Sequence, residues 1–189
     1  MIVEPMRLQH LPNIITYIRC LLVLPIIIVL LNKHYTLAFY LFIFAGVSDA
    51  ADGLIARVYG WTSQLGAVLD PLADKLLLVS SYVTLGYLGH FSFWLVTLVV
   101  ARDIWIIFGG VLYRYVVGHL EFKPSFISKI NTFLQILLVG LMLIHLSFYH
   151  FPAIVLKLVV ISVVISGVAS MVHYTWAWSR LAAKNRSAA

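Results

Sequence analysis

The sequence predicts an all-α fold, a polytopic membrane bundle of six transmembrane helices with both termini in the cytoplasm. Three observations carry this. Of 189 residues, 62% are hydrophobic and only 11% are charged, and the mean hydropathy is +1.01. Soluble domains run near 45–50% apolar and about 25% charged, so this chain has too little polar surface to cover a globule in water. The apolar residues also form continuous runs close to the roughly 20 residues that a helix needs to cross a bilayer, whereas a β-barrel would alternate. Finally, the basic residues gather on alternate connections, as cytoplasmic loops require.

The first run covers about 13–31 and is broken by Asn32-Lys33-His34. The second covers about 36–56. The third begins near Gly66 and ends in Gly86-Tyr-Leu-Gly-His90, where two glycines remove helix propensity. The fourth covers about 92–117 and is followed by the polar stretch Gly118-His-Leu-Glu-Phe-Lys-Pro124. The fifth covers about 127–146, His150-Phe-Pro152 interrupts, and the sixth runs from there to about Trp178. The tail from about residue 179 is polar and is expected to fray. One domain spanning 1–189 is the economical organisation, with no internal repeat and no low-complexity linker.

Arg7, Arg57, Arg114, Lys123, Arg180, Lys184 and Arg186 fall at the termini and even-numbered connections, while Lys33 and Lys157 lie toward the other face. The positive-inside rule then sets the orientation, and the net charge of +6 reads as topology rather than nucleic-acid binding. Trp94, Tyr174, Trp176 and Trp178 sit near helix ends, as interfacial anchors do. No small-residue cleavage site follows the first apolar run, so a signal peptide is not expected. The single cysteine, Cys20, excludes an intrachain disulfide. The histidines are scattered and read as interfacial.

The charges that remain are unevenly placed. Of seven acidic residues, four are Asp49, Asp52, Asp70 and Asp74. Ionisable groups in membrane helices cost a few kcal/mol each, so their default reading is functional. Asp49 and Asp52 are spaced i, i+3 and Asp70 and Asp74 i, i+4, which puts each pair on one helix face. The short connection Val58–Leu65 makes the two helices antiparallel neighbours, so the four carboxylates are expected to converge. Such a group needs a cation, and oxygen-only ligation favours hard divalent ions, Mg²⁺ or Mn²⁺. Gly53, Ala56 and Gly66 leave room for a ligand near the backbone, and Arg57 is placed to meet an anion. Metal, carboxylates and arginine together suit a phosphate-containing substrate. The different-class alternative is a small ion or solute transporter using the same acids, or a structural salt-bridge network.

The stretch Asp49-Ala-Ala-Asp52-Gly53-Leu-Ile-Ala56-Arg57, eight residues, Gly66, three residues, Asp70, three residues, Asp74 resembles the signature of the CDP-alcohol phosphatidyltransferase family. The resemblance extends to the six-helix pattern. It implies transfer of a phosphoalcohol unit from a CDP-linked donor to an acceptor hydroxyl, with release of CMP. It implies that Asp49, Asp52, Asp70 and Asp74 hold two divalent ions and that Asp74 is the general base. It also implies that Arg57 binds the diphosphate and that Gly53, Ala56 and Gly66 line the nucleotide site.

Leu11-Pro12-Asn13-Ile-Ile-Thr16-Tyr-Ile-Arg19 resembles the opening of the glycerophospholipid branch, which implies CDP-diacylglycerol as donor. For Asn13 and Arg19 the plainer reading is capping and anchoring of the first helix. Ala101-Arg102-Asp103 and the stretch from Lys123 through Lys129, Asn131, Thr132 and Gln135 resemble most the cardiolipin synthases, whose acceptor is phosphatidylglycerol. The related phosphatidylglycerophosphate synthases use glycerol 3-phosphate and usually carry Arg-Glu and a second lysine at these places. Arg102, Lys129 and Asn131 are therefore acceptor-site candidates. The plainer reading pairs Arg102 and Lys129, as buried cations, with neighbouring carboxylates such as Asp103. The implied partners are the donor lipid, a glycerol-type acceptor and the bilayer, with a homodimer by analogy to the family. The short six-span form with no transit peptide points to a bacterial inner membrane.

Overall fold

The computed structural model describes residues 11–59, 64–117 and 125–186, and within them the side chains of 21–48, 72–111 and 125–180. The start of the chain with Arg7, the connection holding Lys123, and the last three residues lie outside that set. Six helices follow one another: α1 (Leu11–Leu31), α2 (Tyr35–Tyr59), α3 (Gln64–Tyr87), α4 (Phe93–Val117), α5 (Phe126–Ser147) and α6 (Ala153–Arg186). Among the described residues, Phe93–Val111, Phe126–Ser147 and Ala153–Arg180 are long and apolar enough to cross a membrane.

The breaks fall where local chemistry demands them. At the end of α1, Lys33 N–H donates to Leu30 O and His34 N–H to Val29 O, at 2.8 and 3.0 Å. This is a Schellman pair that closes the last turn around a left-handed residue. That residue is Lys33, with φ 59°. α3 ends in the same way, with Gly89 at φ 81° and bonds from Gly89 N to Gly86 O and His90 N to Leu85 O. At the start of α5, Ser125 Oγ accepts from Ser128 N–H at 3.2 Å, the N-cap geometry that satisfies an orphan donor.

The chain forms two compact units. The first holds Met1–His90 and Val139–His150. In it α1 packs against both α2 and α3. Its core is built from Ile26 and Leu30 of α1, Ala38, Phe42 and Ala45 of α2, Ala73, Leu77 and Tyr82 of α3, and Leu143 of α5, all buried. Three alanines at these positions let helix backbones approach closely, as membrane interfaces favour. The second unit holds Phe91–Leu138 and Phe151–Ala189, with α4 against α6. Both units turn apolar side chains outward: Leu24, Ile28 and Phe44 in the first, and Ile107, Phe108, Ile161 and Val172 in the second, are all more than half exposed. A water-soluble surface would not carry this, so the solvent of these helices is lipid.

Two expectations change. The sixth helix does not stop near Trp178 but continues to Arg186. The polar tail Ser-Arg-Leu-Ala-Ala-Lys-Asn-Arg contains no glycine or proline and is rich in good helix formers, so nothing in it terminates a helix. Trp178 is also more than an interfacial anchor. Its ring lies where a β-carbon on Gly109 of α4 would stand. Gly109→Ala should therefore displace the indole and lower stability by about 1–3 kcal/mol, the usual range for overpacking. Reversible unfolding in detergent micelles measures it, and an unchanged midpoint would show that the ring moves freely.

Candidate active site

The aspartate signature lies wholly in the first unit. Asp49, Asp52, Gly53, Ala56 and Arg57 are on the last part of α2, and Gly66, Asp70 and Asp74 are on the first part of α3. Both stretches are helical, as the i, i+3 and i, i+4 spacings require. Residues 60–63, between the two helices, lie outside the described set. The side chains of 49–71 do so as well, and with them the expected meeting of four carboxylates. Of the four, Asp74 is described, and it is exposed. Its neighbour Ala73 is fully buried against the core, so Asp74 stands at the rim of that packing rather than inside it. Among the described residues no three side chains form a metal-binding group.

The second unit contains a separate polar cluster. Arg102 of α4 is 2% exposed. Its Nη1 donates to Asp103 at 2.6 Å, and its Nη2 donates to Ser170 Oγ at 3.1 Å and to Ser128 Oγ. The guanidinium Nε is buried and has no hydrogen-bond partner among the described residues. A buried cation needs a counter-charge and several acceptors, and Asp103 with the two serines supplies them.

One turn along, Asn131 of α5 is fully buried and accepts from Ser166 Oγ at 2.9 Å through Oδ1, while its Nδ2 finds no acceptor among the described residues. Ser125 N–H donates to Tyr174 Oη at 3.0 Å. Ser128, Asn131 and Gln135 thus share one face of α5, where Asn131 meets Ser166 of α6 and Ser128 shares the Arg102 guanidinium with Ser170.

Lys129 does not join them. It is exposed, because 100° per residue turns it away from the stripe that Ser128 and Asn131 occupy. The expectation of a buried Lys129 is corrected accordingly. Sequence reading passed over Ser166 and Ser170. The available signal was their spacing of four along an otherwise apolar helix, continued by Tyr174.

Comparison with known families gives a match over residues 9–177, across both units, to the model described as CDP-alcohol phosphatidyltransferase. The chain belongs to that family. Membership bears out the resemblance carried by the aspartate signature on α2 and α3. Among curated relatives, the chain is 35% identical over 158 residues to a probable cardiolipin synthase (CMP-forming) of Drosophila melanogaster, with 74% of this chain and 48% of that protein covered. It is 31% identical over 171 residues to a probable phosphatidylglycerophosphate synthase of Mycobacterium tuberculosis, covering 86% and 80%. It is 31% identical to the cardiolipin synthase (CMP-forming) of Homo sapiens, covering 78% and 54%. The chain thus spans about half the length of the fly and human relatives and four-fifths of the mycobacterial one. This phosphatidyltransferase has relatives of both names, so the names leave its acceptor open.

Proposed function

We propose that this phosphatidyltransferase moves the phosphatidyl group of CDP-diacylglycerol to the hydroxyl of a glycerol-type acceptor, releasing CMP. The observation that carries this is the run of Asp49, Asp52, Asp70 and Asp74 on two consecutive helices of a chain in this family. The whole chain is read as one catalytic domain because the family match runs through both units.

The donor set is all carboxylate oxygen, which fits hard divalent ions; Asp49, Asp52, Asp70 and Asp74 would hold two Mg²⁺ or Mn²⁺. When bound, such ions supply charge neutralisation at the diphosphate. The chain's own residues do the rest. Arg57 holds the diphosphate through its guanidinium. Gly53, Ala56 and Gly66 admit the nucleotide close to backbone. Asp74 takes the proton of the acceptor hydroxyl as its oxygen bonds to the phosphatidyl phosphorus; the phosphorus–oxygen bond to CMP breaks, and CMP leaves with that electron pair. Phosphoryl transfer asks chiefly for positioning and charge stabilisation, and a carboxylate base adds proton transfer.

For the acceptor we favour phosphatidylglycerol over glycerol 3-phosphate. Asp103 and Asn131 stand where the more highly charged acceptor would call for Arg-Glu and a second lysine. Lys129, exposed on another face of α5, is a cation that can meet the acceptor phosphate, while Arg102 and Asn131 belong to the buried polar stripe. The basic connections support a reading with six spans and the aspartates on the cytoplasmic side, and we take the membrane to be a bacterial inner membrane.

The purified chain should release CMP from CDP-diacylglycerol only with Mg²⁺ or Mn²⁺ present. Phosphatidylglycerol and glycerol 3-phosphate, supplied in separate reactions, identify the acceptor through the lipid product. Absence of CMP release with every glycerol-type acceptor would sink the proposal; phosphatidylglycerophosphate as product would move it to the other branch.

A further inference from the structure

The end of the first unit remote from the aspartates has a cavity of about 560 Å³. Lys33, His34, Thr36 and Ser147 form its polar rim, and Leu37, Tyr40 and Leu146 continue the wall. Lys33 occupies a left-handed backbone position, φ 59°, that glycine or asparagine fills at lower cost, as Gly89 does in the matching cap of α3. A lysine there keeps a charge that the turn itself does not need.

The backbone adds donors. Ala38 N–H bonds to His34 O at 3.0 Å, so His34 is the N-cap residue directly before α2. The amides of Tyr35, Thr36 and Leu37 precede the helical ladder and have no acceptor among the described residues. Such amides at a helix start favour an anion. Ser147 Oγ, also in the lining, is buried and has no hydrogen-bond partner among the described residues.

Electrostatics at this end point the same way. Tyr35 Oη and His90 Nε2 lie 2.9 Å apart, and the His145 and His150 rings are 5.2 Å apart. Burial, then the charges of Lys33 and His145, hold the His90 imidazole below its usual range. The groups that these elements bring here are Lys33, His34, Tyr35, His90, His145, Tyr149 and His150. None is a carboxylate: the chain's acids are Glu4, Asp49, Asp52, Asp70, Asp74, Asp103 and Glu121. Along α2, Asp49 is about 21 Å from Tyr35 at about 1.5 Å per residue.

We propose that this cavity binds a phosphate anion, held by the Lys33 ammonium and the first amides of α2. Its source is either the phosphate of an anionic lipid headgroup, with an acyl chain along Leu37, Tyr40 and Leu146, or free phosphate. Basic pockets between membrane helices bind anionic headgroups on this principle.

The test uses the full chain in phosphatidylcholine nanodiscs, titrated separately with dioleoyl phosphatidate and with inorganic phosphate, with bound probe counted by native mass spectrometry. Lys33→Asn removes the charge while suiting the left-handed backbone, and Ser147→Phe fills the cavity. One saturable phosphatidate per chain is expected, weakened at least tenfold in both variants, while Lys33→Asn keeps the parent's thermal midpoint in pure phosphatidylcholine. Saturable phosphate binding with the same Lys33 dependence and no phosphatidate binding assigns the site to the free anion. Equal binding by parent and Lys33→Asn, or no saturable binding of either probe, overturns the proposal.

Discussion

Asp74→Asn is expected to lower turnover by about 10²- to 10⁴-fold, the usual contribution of a positioned general base. Binding of CDP-diacylglycerol should change far less. Asparagine preserves shape and a ligating oxygen but cannot accept the hydroxyl proton. Asp74 is also the aspartate of the signature with a described, exposed side chain, so an acceptor can approach it without disturbing the buried Ala73 beside it. Single-turnover CMP release gives the rate, and equilibrium binding of the CDP-lipid gives the affinity. Unchanged turnover would remove Asp74 as base. Turnover and binding lost together would make it a metal ligand alone.

Asp103→Leu should destabilise the chain by about 3–5 kcal/mol, because it leaves the Arg102 guanidinium buried without its counter-charge. Arg102 is 2% exposed and contacts Asp103 at 2.6 Å, so little solvent is available to take over. The double variant Arg102→Met/Asp103→Leu should recover most of the loss, since apolar side chains of similar volume replace a buried pair at little cost. Denaturant unfolding of the parent, both single variants and the double variant closes the cycle. A loss under about 1 kcal/mol for Asp103→Leu would mean that the pair is hydrated in the membrane, as surface pairs are. The double variant also separates two roles of Arg102. An unchanged KM for the acceptor makes it a structural cation, and a raised KM makes it part of the acceptor site.

The helices were legible because their ends are written in local chemistry. Asn32-Lys33 and the Gly86/Gly89 pair each stop a helix, and Pro152 stands directly before one, for reasons visible in one or two residues; apart from the end of α6, the observed ends fall within a few residues of the expected ones. The end of α6 was not legible in hydropathy, because polarity ends a membrane span without ending a helix. The aspartate signature was legible because few other acids exist to obscure it. The polar stripe of the second unit was not. Serine contributes almost nothing to a hydropathy profile, and Ser166 and Ser170 gain meaning only from the partners across the interface, Asn131 and Arg102. Lys129 illustrates the same limit: a helix's sequence gives its faces, and only packing tells which face is inside.

The spacing of those serines has a consequence for how α6 finds its place. Ser162, Ser166 and Ser170 recur every four residues, and Ser162 and Ser166 also bond back to carbonyls of their own helix. If α6 slid by four residues, roughly 6 Å at about 1.5 Å per residue, Ser166 would stand where Ser170 stands and Ser162 where Ser166 stands. The hydroxyls alone are therefore nearly indifferent to one-turn misalignment. Tyr174 on the Ser125 amide and Trp178 against Gly109 have no equivalents four residues earlier in the helix, where Ser170 and Tyr174 occur. These two aromatic side chains act as keys: the serines bond to Arg102 and Asn131, and the rings admit one alignment of α6.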